Sequence, residues 1–426
     1  MRQTLTAALL SAVAGIAINT SAQAQGVEVS ISCGAVGPGL ELCREGVAAW
    51  EAETGNTVNV TTAPNSTTDR LALYQQVLNA GAGDLDVYMI DVIWPGILGS
   101  HFVDLAEYIP QDVIDQHFPA IIENNTVDGS LVGMPWYTDA GILYYRTDLL
   151  EQYDVEVPTT WQELTVAAET IMAGEREAGN DRFWGFVWQG RAYEGLTCDA
   201  LEWIDSFNGG SIVEADGTVS VNNDNAIQAI DLAATWVGTI SPDGILNYAE
   251  EEARGVFQSG NAAFMRNWPY AWAAGQAEDS PIRGNIEVAP LPRGGYNGVH
   301  TGTLGGWQLA VSRYSENPEV AASLVAYLTS FEEQKRRAIE GSYLPTIEAL
   351  YSDPDIEAAN PFIPRLYETF VNAVARPSRV TGERYNEVSS AFWNAVHATL
   401  SGNGDAATNL ASLETELRRI SRGGRW

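Results

Sequence analysis

The sequence predicts an α/β protein built as two layered lobes. Three observations carry that expectation. Strand-like apolar runs alternate with helix-period stretches along most of the chain. The alternation comes in two successive blocks, within 426 residues that are 45% apolar and so ample for more than one core. No Gly/Ser linker separates the blocks, so the lobes are expected to be joined by strands that cross between sheets.

In the first block, VEVSIS (27–32) alternates like a strand. LELCREGVAAWEAETG (40–55) places Leu40, Cys43, Val47 and Trp50 at helical spacing and stops at Gly55. NTVNVTTAP reads as a strand, TTDRLALYQQVLNAG as a helix opening on Thr67/Thr68, and DLDVYMIDVIW (84–94) as a buried strand. That order implies a largely parallel sheet. In the second block, MPWYTDAGILYYRTDLL (134–150) is strand-like and then helical, and WQELTVAAETIMAG (161–174) is a capped helix. FWGFVWQG (183–190) is a strand and NAIQAIDLAATWVGTI (225–240) a helix. GVFQSGNAAFMRNWPYAW runs helix, Gly-Asn turn, strand and aromatic stretch. TLGGWQLAVS (303–312) is a strand reached through a Gly-Gly bend, and the remainder is mostly helical.

The N-terminus, MRQTLTAALLSAVAGIAINTSAQAQ, has the form of a secretory signal peptide over 1–24, ending in Ala22-Gln23-Ala24. No later stretch reaches the about 18 apolar residues of a membrane span. Formal net charge is −32, and Lys335 is the one lysine. That balance argues against nucleic acid or anionic lipid as a partner, since both need basic patches. Export permits a disulfide, and the close pair Cys33/Cys43 is the candidate, with Cys198 left over; three reduced core cysteines are the alternative. No CxxC or Cys/His cluster supports a metal site.

Ligands of open parallel sheets bind beyond the carboxyl ends of the strands. That rule selects Asp91, then Tyr137 and Asp139 after the short MPW segment, and Trp307 beside Gly305-Gly306. Glu41 sits in the first turn of the opening helix, where an acid is favoured by the dipole whether or not it binds anything. Asp91 equally suits a cap or turn. Together, acids and tryptophans at strand ends suit a neutral sugar: carboxylates accept from hydroxyls, and aromatic faces cover the apolar faces of pyranose rings. Phosphorylated or carboxylate ligands would call for arginine or lysine clusters, which are scarce. The stretch FMRNWPYAW (264–272) has three readings: core, a cage for a quaternary ammonium, or a stacking platform stiffened by Pro269.

MIDVIW, PWYTDAGILYYRTDLL, FWGFVWQGRAYEGLTCD, GNAAFMRNWPYAW, VAPLP and TLGGWQ occur in one order. With them the chain resembles the trehalose/maltose-binding members of the ABC-transporter extracellular solute-binding proteins, over nearly all of its mature length. The resemblance implies a periplasmic binding protein fold of two discontinuous α/β lobes: 26–136 plus 301–345, and 139–298 plus 348–426, with hinge crossings near 136–139, 298–301 and 345–348. It implies capture of an α-glucoside disaccharide (trehalose, maltose or sucrose) by hinge closure and delivery to the membrane permease subunits with their ATPase. It further implies a periplasmic monomer that needs no cofactor and breaks no bond. Carried over by motif, Glu41 and Asp91 would bind sugar hydroxyls, Tyr137 and Asp139 would contribute from the hinge side, and Trp268 and Tyr270 would stack. Gly306 and Trp307 would close the other side, and Arg376 in VARPS and Arg70 in TTDRLALY would donate to hydroxyls. The cysteine-bearing loop CGAVGPGLELCREG departs from the family pattern, which bears on the placement of Glu41; the segment VTGERYNE (380–387), which borders the second sugar ring, departs as well and leaves the disaccharide open. The rival readings are a secreted glycoside hydrolase using two carboxylates and a betaine-type osmolyte binder.

Overall fold

The computed structural model describes residues 26–34 and 38–426; the expected signal peptide lies outside them. The first block gives β1 (Glu28–Ser32), α1 (Pro38–Thr54), β2 (Thr57–Thr61), α2 (Thr67–Asn79), β3 (Val87–Asp91) and β4 (Met134–Ala140). The second gives β5 (Ile142–Arg146), α3 (Trp161–Glu177), β6 (Trp184–Val187), α4 (Glu194–Ser206), α5 (Asp224–Trp236), α6 (Glu250–Gln258), β7 (Ala262–Asn267) and β8 (Ile286–Ala289). The chain then returns with β9 (Leu304–Val311), α7 (Pro318–Leu328) and α8 (Phe331–Gly341). After several short helices it ends in α9 (Tyr385–Leu400) and α10 (Ala406–Ile420). Among the described residues no helix is long and apolar enough to cross a membrane.

Two sheets result. The first has the order β2-β1-β3-β9-β4, the second β8-β5-β7-β6. The first is mixed rather than largely parallel. β1 runs parallel to β2 and β3, but β9 enters antiparallel between β3 and β4. That strand comes back from beyond the second sheet, a long-range pairing that local strand–helix alternation does not report. The second sheet has one parallel pair, β6 with β7.

Alternation along β3 feeds two cores. Val87 and Met89 join Val29, Trp50 and Leu324 on one face of the first sheet, while Tyr88 and Ile90 join Leu71, Tyr74 and Trp94 on the other. The second sheet has its own core, in which Trp236 lies 5.5 Å from Trp161 and 5.6 Å from Trp203 between ring centroids. Helix α3 starts where the capped helix expected over 161–174 begins. Thr160 Oγ1 accepts from the Glu163 amide at 3.2 Å, and the Thr160 amide donates to Glu163 Oε2 at 3.1 Å. Such a reciprocal cap satisfies two otherwise unpaired N–H groups. Helix α4 went unread in the sequence because it is buried along nearly its whole length, Glu194, Asp199 and Glu202 included, and so lacks the one-sided apolar stripe of a surface helix.

The chain leaves the first sheet at Ala140 and enters the second at Ile142. The crossing therefore falls at Gly141 rather than within 136–139, where β4 is continuous. A side chain at Gly141 would run into the buried Glu202 carboxylate, so the crossing takes the residue without one. Cys33, after β1, and Cys43, in α1, form a disulfide with Cα atoms 6.3 Å apart, and Cys198 is free and buried. Replacing both disulfide cysteines by serine should lower the unfolding free energy by about 2–3 kcal/mol, the loop-closure entropy of so short a loop. Urea denaturation measures this as an earlier midpoint; an unchanged midpoint would mean the link constrains nothing that the core does not already hold.

Candidate ligand cleft

Sheet register builds one wall of the cleft between the two sheets. Asp91 ends β3, and Trp307 of β9 lies opposite Asp91 on one side and Tyr137 of β4 on the other. Two positions along, Gly305 pairs with Asp139, and the two-residue period returns Tyr137 and Asp139 to one face. Between these rows Gly306 sits at φ 131°, where a Cβ would come 2.7 Å from the Tyr137 carbonyl oxygen; this position accepts only glycine. The ladder shifts register between Trp307 and Gln308, a bulge beside the site. Arg70 of α2 lies over the Trp307 ring at 4.6 Å, and Trp94 meets that ring edge-on at 5.6 Å.

The facing wall is the turn after β7. Pro269 cannot continue the ladder, and the Tyr144 hydroxyl lies 2.8 Å and 3.0 Å from the carbonyl oxygens of Trp268 and Pro269, tying the turn down. Phe264 and Trp272 are buried in the second core, whereas Trp268 and Tyr270 are half-buried and line the cleft. Arg266 lies behind Trp268, its guanidinium carbon 4.0 Å from the ring centroid. Arg266 donates to Glu202 Oε2 at 2.8 Å and Gln189 Oε1 at 3.0 Å. Asp199 Oδ1 is 2.9 Å from Arg266 Nε but out of line for a hydrogen bond. The Trp268 indole donates to Glu250 at 3.4 Å, and the Tyr270 hydroxyl donates to Glu251 at 2.7 Å.

Arg376 joins the walls. Its guanidinium donates to Asp91 Oδ1 and to Glu194 Oε1, each at 2.9 Å, with all three side chains buried. Glu194 is completed by Ser389, whose hydroxyl donates at 2.8 Å, and by Tyr385. Both protein bonds to Asp91 converge on Oδ1, the second coming from the Ile93 amide at 3.2 Å. Its other carboxylate oxygen has no protein donor among the described residues. Asp139 differs: Oδ1 is buried with no hydrogen-bond partner among the described residues. Burial and then the Asp91 charge push its pKa well above the usual carboxylate range, against the opposing pull of Arg266 and Arg337.

Nine of the ten site residues expected from sequence line this cavity: Arg70, Asp91, Tyr137, Asp139, Trp268, Tyr270, Gly306, Trp307 and Arg376. Glu41 does not. It occupies the first turn of α1 as expected, but the face that carries Leu40, Cys43 and Val47 turns inward and leaves Glu41 exposed. The cavity also takes in Glu194, Glu250, Glu251, Arg337 and Tyr343, which the sequence reading missed. Glu194 had a usable signal, since it follows β6 as Asp91 ends β3. Among the described residues no group of three His, Cys, Asp or Glu side chains is arranged to hold a metal ion.

A mixed α/β molecule in two sheet-centred bodies, with a polar and aromatic cleft between them, has the form of a solute-binding protein that encloses its ligand. Residues 42–335 match the family described as bacterial extracellular solute-binding protein. A probable ABC transporter-binding protein of Deinococcus radiodurans is 53% identical over 410 residues, covering 96% of this chain and 97% of that protein. The maltose-bound structure of T. maritima MalE3 superposes with a TM-score of 0.88 at 37% identity, covering 93% of this chain and 100% of that one. A solute-binding protein from Thermotoga lettingae, bound with α-D-tagatose, shares the fold at a TM-score of 0.82 and 22% identity, over 93% and 100% of the two chains. This chain belongs to the bacterial extracellular solute-binding protein family, and its fold is that of the maltose-binding type.

Asp139 sets a stability slope. A carboxyl whose folded pKa is raised holds a proton that the unfolded chain releases above pH about 4, so its contribution to stability falls as pH rises from there toward the folded pKa. Asp139→Asn should therefore raise the melting temperature of the unliganded protein at pH 7 and flatten its decline between pH 4 and 7. Melting curves across that range test this, and an unchanged slope would place Asp139 in a hydrated setting.

Proposed function

We propose that this protein is the periplasmic solute-binding component of an ABC sugar importer, and that it captures an α-glucoside disaccharide: trehalose, maltose or sucrose. The observation that carries the reading is the cleft itself. Trp268, Tyr270 and Trp307 offer flat apolar faces, while Asp91, Asp139, Arg70 and Arg376 offer acceptors and donors around them. Stacked aromatics with a few convergent polar groups suit a neutral ring bearing hydroxyls. The 37% identity to T. maritima MalE3, whose structure holds maltose, supports the α-glucoside class.

In this reading Asp91 and Asp139 accept from sugar hydroxyls, and Arg70 and Arg376 donate to them. Trp268, Tyr270 and Trp307 cover ring faces, Tyr137 closes the hinge side, and Gly306 lets the backbone approach. The lobes are 26–140 plus 301–345 and 142–298 plus 348–426, with the first crossing taken at Gly141 and the others near 298–301 and 345–348. Ligand bridging both lobes shifts an open–closed equilibrium, and a permease with its ATPase receives the closed monomer. No bond is broken and no cofactor is required.

Thermal shift and calorimetry against trehalose, maltose, sucrose, glucose and glycine betaine test the assignment. The expected result is a disaccharide at the head of the panel. Betaine binding without sugar binding would overturn it, and release of nitrophenol from p-nitrophenyl α-glucoside would make the protein a hydrolase. Trp268→Ala should cost about 1–3 kcal/mol of sugar affinity while the unliganded protein melts near the wild-type temperature. If it instead unfolds, Trp268 belongs to the core.

A further inference from the structure

Three cations stand in a row in α8: Lys335, Arg336 and Arg337. The first two are paired on the surface. Lys335 lies 2.8 Å from Asp353 and 2.7 Å from Asp355, and Arg336 reaches Glu45, Glu333 and Glu340 at 2.9, 2.7 and 2.9 Å. Arg337 turns inward. It is 2% exposed, and no carboxylate pairs with it among the described residues. Its Nε and Nη1 are buried without an acceptor among the described residues. Three aromatic rings frame it, with the guanidinium carbon 4.0 Å from the centroid of Trp136, 4.5 Å from Tyr343 and 5.4 Å from Tyr137. Rings hold the faces of a guanidinium but accept little from its N–H edge, so the aromatic frame orients Arg337 without satisfying it.

A buried, unsatisfied guanidinium destabilises a fold unless something else meets it. Arg337 lines the same cavity as Asp139, whose Oδ1 is buried and unpartnered as well. Two such orphans of opposite kind on one cavity constrain what fills it. Arginine has donors only and Asp139 Oδ1 wants a donor, whereas a hydroxyl both donates and accepts. A cationic ligand group would be repelled by Arg337, and a ligand group with acceptors only would leave Asp139 Oδ1 without a donor. A pair of neighbouring hydroxyls suits both.

We propose that Arg337 is a ligand-binding residue of this cleft, donating to a ligand oxygen while Asp139 accepts from a ligand hydroxyl, so that together they hold one end of a neutral polyhydroxylated ligand. This rests on the sugar reading above and adds to it a contact that no motif indicated. The orphaned N–H groups explain why Arg337 is buried at all: the ligand, not the protein, supplies the acceptors.

Calorimetry tests the proposal with wild-type protein and Arg337→Met, titrated with whichever of maltose, trehalose and sucrose binds the wild type most tightly, and with the monodeoxy analogues of that sugar. Arg337→Met should bind the sugar at least tenfold more weakly, while its unliganded melting temperature stays level or rises. One analogue that binds the wild type poorly should bind the variant as well as the parent sugar does. That pattern identifies the hydroxyl that Arg337 meets, and a merely structural arginine would not produce it. Arg337→Lys, which keeps the charge but loses the planar fork, provides the same comparison if the methionine variant folds poorly. Unchanged affinity in the variant, or survival of every deoxy penalty, overturns the role of Arg337 and leaves the sugar reading intact. Failure of the wild type to bind any of the three sugars overturns both.

Discussion

The guanidinium of Arg376 is the constraint on which the cleft depends. It comes from the segment before α9 and binds Asp91, at the end of a strand in the first sheet, and Glu194, at the start of a helix packed in the second core. One cation thus holds two carboxylates from the two bodies in a buried setting. Removing it would leave Asp91 and Glu194 close together, buried and unbalanced, which costs far more than a surface ion pair contributes. Burial already raises the Glu194 pKa, against the opposing pull of Arg376 and the Tyr385 hydroxyl. The clasp also organises the wall, because it occupies one oxygen of Asp91 and leaves the other without a protein donor among the described residues.

The two walls reach a similar end by different means. On the first sheet, strand register aligns Asp91, Trp307 and Tyr137 across three strands, so the site is as rigid as the ladder that carries it. On the second, a proline turn displays Trp268, and the stiffness comes from behind, from Arg266 and its partners Glu202 and Gln189. Rotamers locked by such a second layer lose little freedom when a ligand arrives, which favours tight binding from a few contacts. Of the 13 tryptophans, Trp268 and Trp307 are the ones that line the cleft, so the aromatic content mostly serves the cores.

Much of this was legible in the sequence, for identifiable reasons. Strands and helices followed from apolar period, and Asp91 and Asp139 from the strand-end rule. The ordered motifs supplied Arg70, Trp268, Tyr270 and Arg376. What escaped was long-range or internal. The antiparallel entry of β9 depends on a partner more than two hundred residues earlier in the chain. Helix α4 hides its charges inside and so carries no amphipathic stripe. Glu41 was assigned from motif position, although its neighbours Leu40 and Cys43 take the inward face of α1. Arg337 lay in a Lys-Arg-Arg run that reads as a solvated face, and only the three-dimensional packing separates it from Lys335 and Arg336.

The proposed enclosure of a sugar between two bodies clasped by Arg376 would have a direct physical consequence, a change of shape. Small-angle X-ray scattering of the wild type and of Arg376→Met, each with and without saturating maltose or trehalose, measures it. Hinge closure predicts that the wild-type radius of gyration falls when sugar is added, and that the sugar-induced decrease is smaller or absent in Arg376→Met. A wild-type radius that stays constant while calorimetry reports saturation would contradict closure around the ligand.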